Sequence, residues 1–456
     1  MIEKLFYILI AYIPFQIALN PYQDIDLMSG RVLILALFFY WLWTIRNSSK
    51  TDIRIRESSV LAANKNNKIF NFQSILLLVF LFLSFVSLSQ AKEVFWGIRK
   101  ILVFCSIFPL YFLTVGIIDN LEKVKGTFKI LVFCSLPIAI IGIFQFLAQF
   151  IFTAGEAMNF LTKWIAPVFY GRSFGWLVSA NPSWLMELGG QFYLRAISIF
   201  PDPHTFAFYL GLIIPLAVSL LFFAKENRKM LLVVCCSLIV SLLLTFSRGG
   251  YFAMLTTMTF FGLFFLLKSK LFKISSKHKI LLFIVYCLLF IVLLVPITPI
   301  SRCFYSSFDS LRYSNIERIK VWNESLDAIS EHPWFGVGIG NFPKFVDPWA
   351  KYLSPINAHS LYLDIASEVG IFALWAWLFL FFGTILLLLK NARIYSDEDA
   401  DSLGFAISLG LAGSLIWFSC HALVETPIYN PTILAILMLI LGLSSVVINL
   451  RTNKPN

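Results

Sequence analysis

One histidine, His359, stands out because it follows a long polar run and begins an apolar segment. The run, residues 331–342, reads Glu-His-Pro-Trp-Phe-Gly-Val-Gly-Ile-Gly-Asn-Phe, and the histidine itself lies in Ala-His-Ser-Leu-Tyr. An imidazole takes and gives a proton near neutral pH, and polar groups beside lipid are costly unless they serve a function. These residues indicate proton-transfer chemistry on a charged molecule at a membrane surface.

Three arginines at the outer ends of apolar segments are candidates for binding an anion. Arg248 lies in the short turn Ser-Arg-Gly-Gly, Arg318 begins a polar helix, and Arg195 begins Arg-Ala-Ile-Ser-Ile-Phe-Pro-Asp-Pro-His. A guanidinium binds phosphate oxygens through two hydrogen bonds at once. Each also has a structural interpretation, as a helix-end charge, a surface salt bridge or an interfacial anchor. His204 ends the stretch that Arg195 begins, and it is either a proton carrier or a turn residue.

Other ionisable residues compete with His359 for the catalytic role. His421 is the strongest rival, because it lies four residues before Glu425 near the end of another apolar segment. His359 also has a structural interpretation, as a hydrogen-bonded residue at a helix start. Asp364 and Glu368 are four residues apart on the predicted His359 helix and face away from the histidine, which favours a structural polar pair.

Motifs for nucleotides and metals are not visible in the sequence. The three glycines between 336 and 340 are not followed by Gly-Lys-Ser/Thr, so they do not form a nucleotide-binding loop. No Asp-x-Asp, His-x-x-x-His or paired Cys/His spacing occurs, and the 7 cysteines show no disulfide framework. We therefore expect a metal-independent reaction that needs no cofactor.

The composition identifies the elements that must position these residues. Of 456 residues, 59% are hydrophobic and 13% are charged, far fewer charged residues than the roughly 25% of soluble domains. We predict an all-α polytopic transmembrane helical bundle of about 12 spans that forms one integral membrane domain over 1–456, with a polar linker at 47–73. The predicted spans are 5–20, 31–46, 74–90, 100–118, 130–153, 205–224, 230–247, 250–267, 280–297, 359–389, 403–424 and 431–450.

The basic residues predict the orientation of the bundle. If both termini are cytoplasmic, 22 of the 36 Lys and Arg residues lie on the cytoplasmic side. The net charge of +11 is then explained without a nucleic-acid partner. Two long loops with short helices then lie on the outer side: loop A (154–204) and loop B (298–358). Loop B has no net charge, and its Trp322, Leu326 and Ile329 have helical spacing and predict an amphipathic helix.

Taken together, four stretches resemble the O-antigen ligase and O-antigen polymerase superfamily of bacterial polytopic membrane glycosyltransferases. The stretches are 195–207, Ser-Arg-Gly-Gly-Tyr at 247–251, the region from 318 to 342, and the region from Ala358-His359-Ser360 to 370. By motif the resemblance covers about 190–390, and by hydropathy it covers the whole chain.

The resemblance implies an activity and a set of site residues. It implies that a glycan carried on undecaprenyl diphosphate is the donor and that Arg248, Arg318 and Arg195 bind the diphosphate. His359 would act on the acceptor hydroxyl, and direct displacement would invert the anomeric carbon without a metal. The resemblance also implies the bacterial inner (cytoplasmic) membrane, with the active site in loop B on the periplasmic side.

The motifs do not separate the activities within this superfamily. An O-antigen ligase of lipopolysaccharide biosynthesis, with lipid A core as acceptor, is slightly preferred to a polysaccharide polymerase that extends a second lipid-linked glycan. Protein O-oligosaccharyltransferase activity is a third possibility. A polysaccharide or lipid transporter is less favoured. Transporters often carry charges at the membrane midplane in related halves, whereas here only Asp364 and Glu368 are candidates for such charges and the other polar residues cluster on the outer face. The expected partners are the lipid-linked glycan, the glycan or core acceptor, and membrane lipids.

Overall fold

A computed structural model describes residues 1–22, 25–51, 70–179, 182–188, 190–223, 227–267, 299–306, 313–352, 356–397 and 402–452. The ninth predicted span, 280–297, and most of the predicted linker 47–73 lie outside the described residues.

Helices dominate the described residues, and two short β-hairpins accompany them. The helices are α1 (Ile2–Tyr12), α2 (Ser29–Thr51), α3 (Phe72–Ser87), α4 (Val94–Ile107), α5 (Pro109–Ile117), α6 (Leu121–Ala148), α7 (Ala154–Phe160), α8 (Ala166–Phe169), α9 (Arg172–Ser179), α10 (Pro203–Phe223), α11 (Arg228–Leu244), α12 (Arg248–Leu267), α13 (Pro299–Tyr305), α14 (Tyr313–Glu331), α15 (Phe342–Val346), α16 (Leu361–Glu368), α17 (Ile371–Asp397), α18 (Ser402–His421) and α19 (Pro431–Thr452). The antiparallel hairpins pair β1 (Ala18–Tyr22) with β2 (Ile25–Met28) and β3 (Leu185–Leu188) with β4 (Gln191–Leu194).

Within the described residues, eight helical segments are long and apolar enough to cross a membrane. They are Ser29–Asn47, Phe72–Gln90, Val94–Ile117, Leu121–Ala148, Pro203–Leu221, Ile371–Tyr395, Leu403–His421 and Pro431–Leu450. The prediction of a helical membrane bundle is confirmed, whereas the count of about twelve spans is not. Helices α11 and α12 do form where two further spans were predicted, although they are not among these eight.

The first predicted span, 5–20, is a shorter helix followed by a hairpin. Helix α1 ends at Tyr12, and a 3₁₀ turn with Pro14 follows before β1 begins. Proline has no amide hydrogen, and its ring clashes with the preceding turn of an α-helix. The apolar run therefore stops being helical before it reaches the length of a span. The second hairpin lies in loop A, where the sequence predicted helices alone.

Helices α10, α18 and α19 form the centre of the bundle. They are apolar on all sides, which is typical of helices that are surrounded by other helices. Tyr209 of α10 and Trp417 of α18 are buried, and Gly211 lies so close to the Trp417 indole that an added Cβ would overlap it. This close packing brings the first turn of α10 and the last turn of α18 to the same end of the bundle.

The predicted span 359–389 is not one helix, which corrects the sequence analysis. His359 precedes α16, and Gly370 separates α16 from α17. Gly370 has a φ of +97°, and a Cβ at this position would overlap the carbonyl of Trp334. Glycine alone adopts this backbone conformation at little cost. The apolar pattern continues through the break, so it does not reveal it.

The polar run 331–342 fills the break between α16 and α17. The backbone amide of Val337 donates to the carbonyl of Ser367 at 2.8 Å, and the amide of Ile371 donates to the carbonyl of Pro333 at 2.9 Å. These bonds satisfy backbone groups that the interrupted helix leaves without helical partners. The run therefore supports the segment that carries His359.

Helix α14 forms where the sequence predicted a helix in loop B, but it buries a different face. Ser325 and Ala328 are buried, whereas Leu326, from the predicted stripe of Trp322, Leu326 and Ile329, is 54% exposed. The small side chain of Ala328 lets α14 pack closely on Val337 and Ala358 beneath it. Its position brings Arg318 over the end of the bundle.

Candidate active site

Four segments bring candidate residues together at one end of the bundle. They are the first turn of α12 with Arg248, α14 with Arg318, the turn before α16 with His359, and the segment after α18 with Glu425. The hydrogen bond between Arg318 and Glu425 joins residues that are 107 positions apart. Folding therefore assembles this cluster from distant parts of the chain.

Glu425 joins three of the candidate side chains. Its Oε1 accepts a hydrogen bond from Nη2 of Arg318 and lies 3.6 Å from Nδ1 of His204. Its Oε2 lies 3.4 Å from Nδ1 of His359. The Glu425 side chain is 13% exposed, and a carboxylate with so little water needs charged or hydrogen-bonding partners. Glu425 therefore connects α10, α14 and the His359 turn.

Arg248 reaches α14 one turn before Arg318. Its Nη1 donates to the Ser306 carbonyl at 3.1 Å and to Oδ1 of Asn315 at 3.2 Å, and its Nη2 donates to Oγ of Ser314 at 3.2 Å. Residues three apart on a helix share a face, so Asn315 and Arg318 point the same way from α14. The two arginines therefore approach the same surface from different helices.

A second line of contacts runs beneath these arginines. Oγ of Ser247 lies 3.2 Å from Nδ1 of His204 and 3.5 Å from Nε2 of His421. The His421 ring stacks on Phe208 with centroids 3.7 Å apart, and its Nδ1 is buried without a hydrogen-bond partner among the described residues. Gly249 permits this packing, because a Cβ there would lie 2.7 Å from Cδ2 of His421.

The His359 turn has a strained backbone and an accessible side chain. His359 has a φ of +46°, an unusual value for a residue other than glycine that often marks functional sites. Oδ1 of Asn357 accepts from its amide at 2.9 Å, and Oδ1 of Asp364 accepts from the amide of Ala358 at 2.8 Å. The His359 side chain is 39% exposed, whereas His421 is fully buried, which favours His359 as the residue that meets an acceptor.

The charges around Glu425 shift the proton affinities of the cluster. Burial opposes the Glu425 charge, but His204, Arg318 and the hydrogen bond with His359 outweigh it and hold the pKa of Glu425 well below its usual value. Burial also disfavours the His359 cation, yet the hydrogen bond and charge of Glu425 raise the pKa of His359 above its usual value. The pair therefore consists of a firmly ionised carboxylate and a strengthened base.

Arg195 has main-chain partners instead of this cluster. Its Nε donates to the Thr245 carbonyl at 2.8 Å, Nη1 to the Ser183 carbonyl at 2.9 Å, and Nη2 to the Phe246 carbonyl at 3.0 Å. Arg195 is 8% exposed, so the guanidinium is enclosed by loop A and the turn before α12. These bonds favour a structural role, and the predicted contact of Arg195 with a diphosphate stays a prediction.

Asp364 and Glu368 have separate partners behind the His359 turn. Nζ of Lys100 lies 2.8 Å from Glu368, whose Oε2 also accepts from the Tyr429 hydroxyl at 2.9 Å. Burial, followed by the neighbouring charge of Glu368, raises the pKa of Asp364 to about 6. His359 precedes the helix that carries Asp364 and Glu368. Asp364 accepts a hydrogen bond from the amide of Ala358, so it supports the His359 turn and does not face away from it.

Sequence reasoning missed the central position of Glu425. It was considered only as a partner of His421, four residues earlier, but the structure pairs it with Arg318, His204 and His359. The available signal was an acidic residue just beyond the outer end of an apolar helix that carries a histidine. That signal names no partner, because the partners lie on other elements.

The described ranges contain no group of three or more His, Cys, Asp or Glu residues arranged to hold a metal ion. Around Glu425, one carboxylate oxygen is already hydrogen-bonded to a guanidinium. Metal independence of the reaction stays a prediction.

The comparisons with known proteins agree with the sequence motifs. Residues 231–378 match a family model described as O-antigen ligase. The matched region includes Arg248, Arg318 and His359 and ends before Glu425. None of the curated proteins matches the chain. The match over residues 231–378 therefore supports the resemblance to the O-antigen ligase superfamily that the motifs predicted.

Proposed function

We propose that this protein is an O-antigen ligase that transfers a glycan from undecaprenyl diphosphate to a hydroxyl of lipid A core, at the periplasmic face of the inner membrane. One observation carries the proposal: Arg318 and His359 both contact the carboxylate of Glu425, and Arg248 contacts α14 one turn before Arg318. A negatively charged leaving group needs a cation beside it, and an acceptor hydroxyl needs a base to take its proton. The arginines and His359 supply these two functions side by side.

Arg248 and Arg318 are proposed to bind the donor diphosphate. Each guanidinium has a fixed fork of donors that matches the geometry of phosphate oxygens. As the bond between the anomeric carbon and the diphosphate oxygen breaks, its electron pair moves to the diphosphate, whose charge the two arginines stabilise. The Arg318 side chain is only 20% exposed, so water screens its charge less than that of a fully exposed arginine, which strengthens this attraction.

His359 is proposed to act as the general base. Its side chain takes the proton of the acceptor hydroxyl while the hydroxyl oxygen attacks the anomeric carbon from the face opposite the diphosphate. One bond forms and one breaks at that carbon, so the anomeric configuration is inverted. The reaction needs no nucleotide, since cleavage of the lipid diphosphate linkage drives the transfer.

Purified protein in proteoliposomes tests this function. Undecaprenyl-diphosphate glycan and lipid A core are supplied, and the glycosylated core is measured for wild type and for His359→Ala, Arg248→Ala and Arg318→Ala. We expect about a 10²- to 10⁴-fold lower kcat for His359→Ala and about 10²-fold or more for each arginine variant. His332→Ala and Arg172→Ala are matched controls on exposed residues and should transfer normally.

The same assay, repeated with a second lipid-linked glycan and with a protein acceptor, separates the alternatives. Longer lipid-linked glycan in place of glycosylated core would identify a polymerase, and modified protein hydroxyls would identify an oligosaccharyltransferase. Movement of intact lipid-linked glycan across the bilayer without transfer would identify a transporter. A wild-type protein that transfers to none of these acceptors would contradict the proposed enzyme.

A further inference from the structure

Glu425 lies where the two proposed chemical functions meet. One carboxylate oxygen accepts a hydrogen bond from Arg318, and the other lies 3.4 Å from Nδ1 of His359. Its side chain is mostly enclosed, so these partners hold the carboxylate in one orientation. Glu425 lies outside the matched family region, and the reaction proposed above gives it no role.

Contact through Nδ1 determines which nitrogen of His359 takes a proton. In a neutral imidazole one ring nitrogen carries hydrogen and the other accepts a hydrogen bond. A carboxylate beside Nδ1 keeps the hydrogen on that nitrogen, as carboxylates commonly do for functional histidines. Nε2 is then the nitrogen that receives the hydroxyl proton.

We propose that Glu425 is a positioning residue of the transfer reaction: it orients His359 for proton abstraction, and it pairs with Arg318 until the donor diphosphate displaces it. This inference rests on the function proposed above. Glu425 touches neither substrate in this mechanism, and it acts through the two side chains that do.

Release of Arg318 follows from competition between two anions for one guanidinium. The carboxylate of Glu425 pairs with Nη2 of Arg318, so a diphosphate must replace it or share the guanidinium with it. A diphosphate carries more negative charge than a carboxylate and offers several oxygens for bidentate contacts. Removing the charge of Glu425 therefore removes a competitor, and donor binding is expected to stay equal or to tighten.

The charged groups facing His359 determine how its proton affinity responds. Glu425 and Asp364 favour the His359 cation, whereas Arg318 opposes it. His204 faces the other oxygen of Glu425 at 3.6 Å. A general base works when neutral, so the rate falls as the pH drops through its raised pKa. Without the carboxylate the pKa of His359 decreases, and the acid limb of the pH profile moves to lower pH.

The test compares Glu425→Gln and Glu425→Asp with wild type in the proteoliposome assay. We measure kcat, KM for the lipid-linked donor, and the pH dependence of kcat. Glu93→Gln is the matched control, because Glu93 is also a carboxylate in an ion pair, with Lys344 at 3.9 Å, and lies outside the Glu425 cluster. Thermal unfolding in detergent reports whether each variant is folded.

For Glu425→Gln we expect kcat at least about tenfold lower, an acid limb displaced to lower pH, and a donor KM that is unchanged or lower. Glu425→Asp retains the charge, so its acid limb should stay near that of wild type while kcat falls less. Glu93→Gln should match wild type.

A purely structural tether predicts another pattern. Lower thermal stability, a higher donor KM and an unmoved acid limb in both Glu425 variants would overturn the inference and leave the proposed transfer intact. An unchanged kcat in Glu425→Gln would also overturn it. Wild type that transfers nothing would remove the proposed function itself, and this inference with it.

Discussion

At the scale of single residues, the surroundings of a guanidinium decide what it does. Arg318 bonds to a carboxylate on a partly exposed surface, whereas the nitrogens of Arg195 bond to main-chain carbonyls in an enclosed place. A side chain with exposed donors is available to a ligand, but one whose donors hold the backbone is not. The same residue type therefore has two roles within one end of the bundle.

Replacing Arg195 is expected to weaken the fold more than donor binding. Arg195→Ala removes three hydrogen bonds from a buried charged group, each of which contributes about 1.5–3 kcal/mol. We expect the free energy of unfolding to fall by about 4.5 kcal/mol or more, with an unchanged donor KM in the folded fraction. Thermal unfolding and donor titration measure both quantities, with Arg172→Ala as the exposed control. An increased donor KM at normal stability would instead support the predicted diphosphate contact.

Residue type and position singled out His359, Arg248 and Arg318 as candidates, and the structure brings them to one end of the bundle. The same reasoning did not find Glu425 as the common neighbour of His359 and Arg318. Its contact with His359 spans 66 positions and its contact with Arg318 spans 107, and no local pattern encodes such distances. The partners of a side chain depend on how helices pack, which a single sequence does not specify.

At the scale of elements, the break between α16 and α17 positions the His359 turn. The structure differs from two predicted spans at a proline or a glycine that interrupts the apolar run. Pro14 ends the first helix early, and Gly370 divides a predicted span in two. Hydropathy averages over about twenty residues, so it finds helices well but does not register such short interruptions.

The break at Gly370 is expected to be sensitive to a single methyl group. Gly370→Ala places a Cβ against the Trp334 carbonyl at a φ of +97°, so the backbone must shift. We expect a loss of at least about 1–3 kcal/mol in unfolding free energy and a lower transfer rate as the His359 turn moves. Gly262→Ala is the control, because an added Cβ there meets open space. Equal thermal stability and transfer rates in both variants would contradict this role for the break.

At the scale of the whole molecule, the orientation in the membrane decides which substrates reach the cluster. The sequence predicts that both termini are cytoplasmic and that loop B is periplasmic, from the distribution of Lys and Arg. Helix α17 connects the end that carries the His359 turn to the opposite end of the bundle. Residues on either side of this helix are therefore suited to testing the orientation.

Cysteine labelling in intact cells measures that orientation. Trp349 is 89% exposed before α16, and Lys390 is exposed near the other end of α17. In a background without native cysteines, Trp349→Cys should react with a membrane-impermeant maleimide from the periplasm. Lys390→Cys should react only after the inner membrane is permeabilised. The reverse pattern would place the cluster in the cytoplasm and contradict the proposed donor face.

The distance along the chain between Arg318 and Glu425 has a consequence for biosynthesis. Ribosomes add about 5–20 residues per second, so roughly 5 to 20 s pass between synthesis of the arginine and of its carboxylate partner 107 positions later. During that interval α14 has no Glu425 to hold it over the bundle, and Nδ1 of His359 has no Glu425 carboxylate beside it. The cluster around Glu425 is therefore complete only after α18 and the segment that follows it have been synthesised.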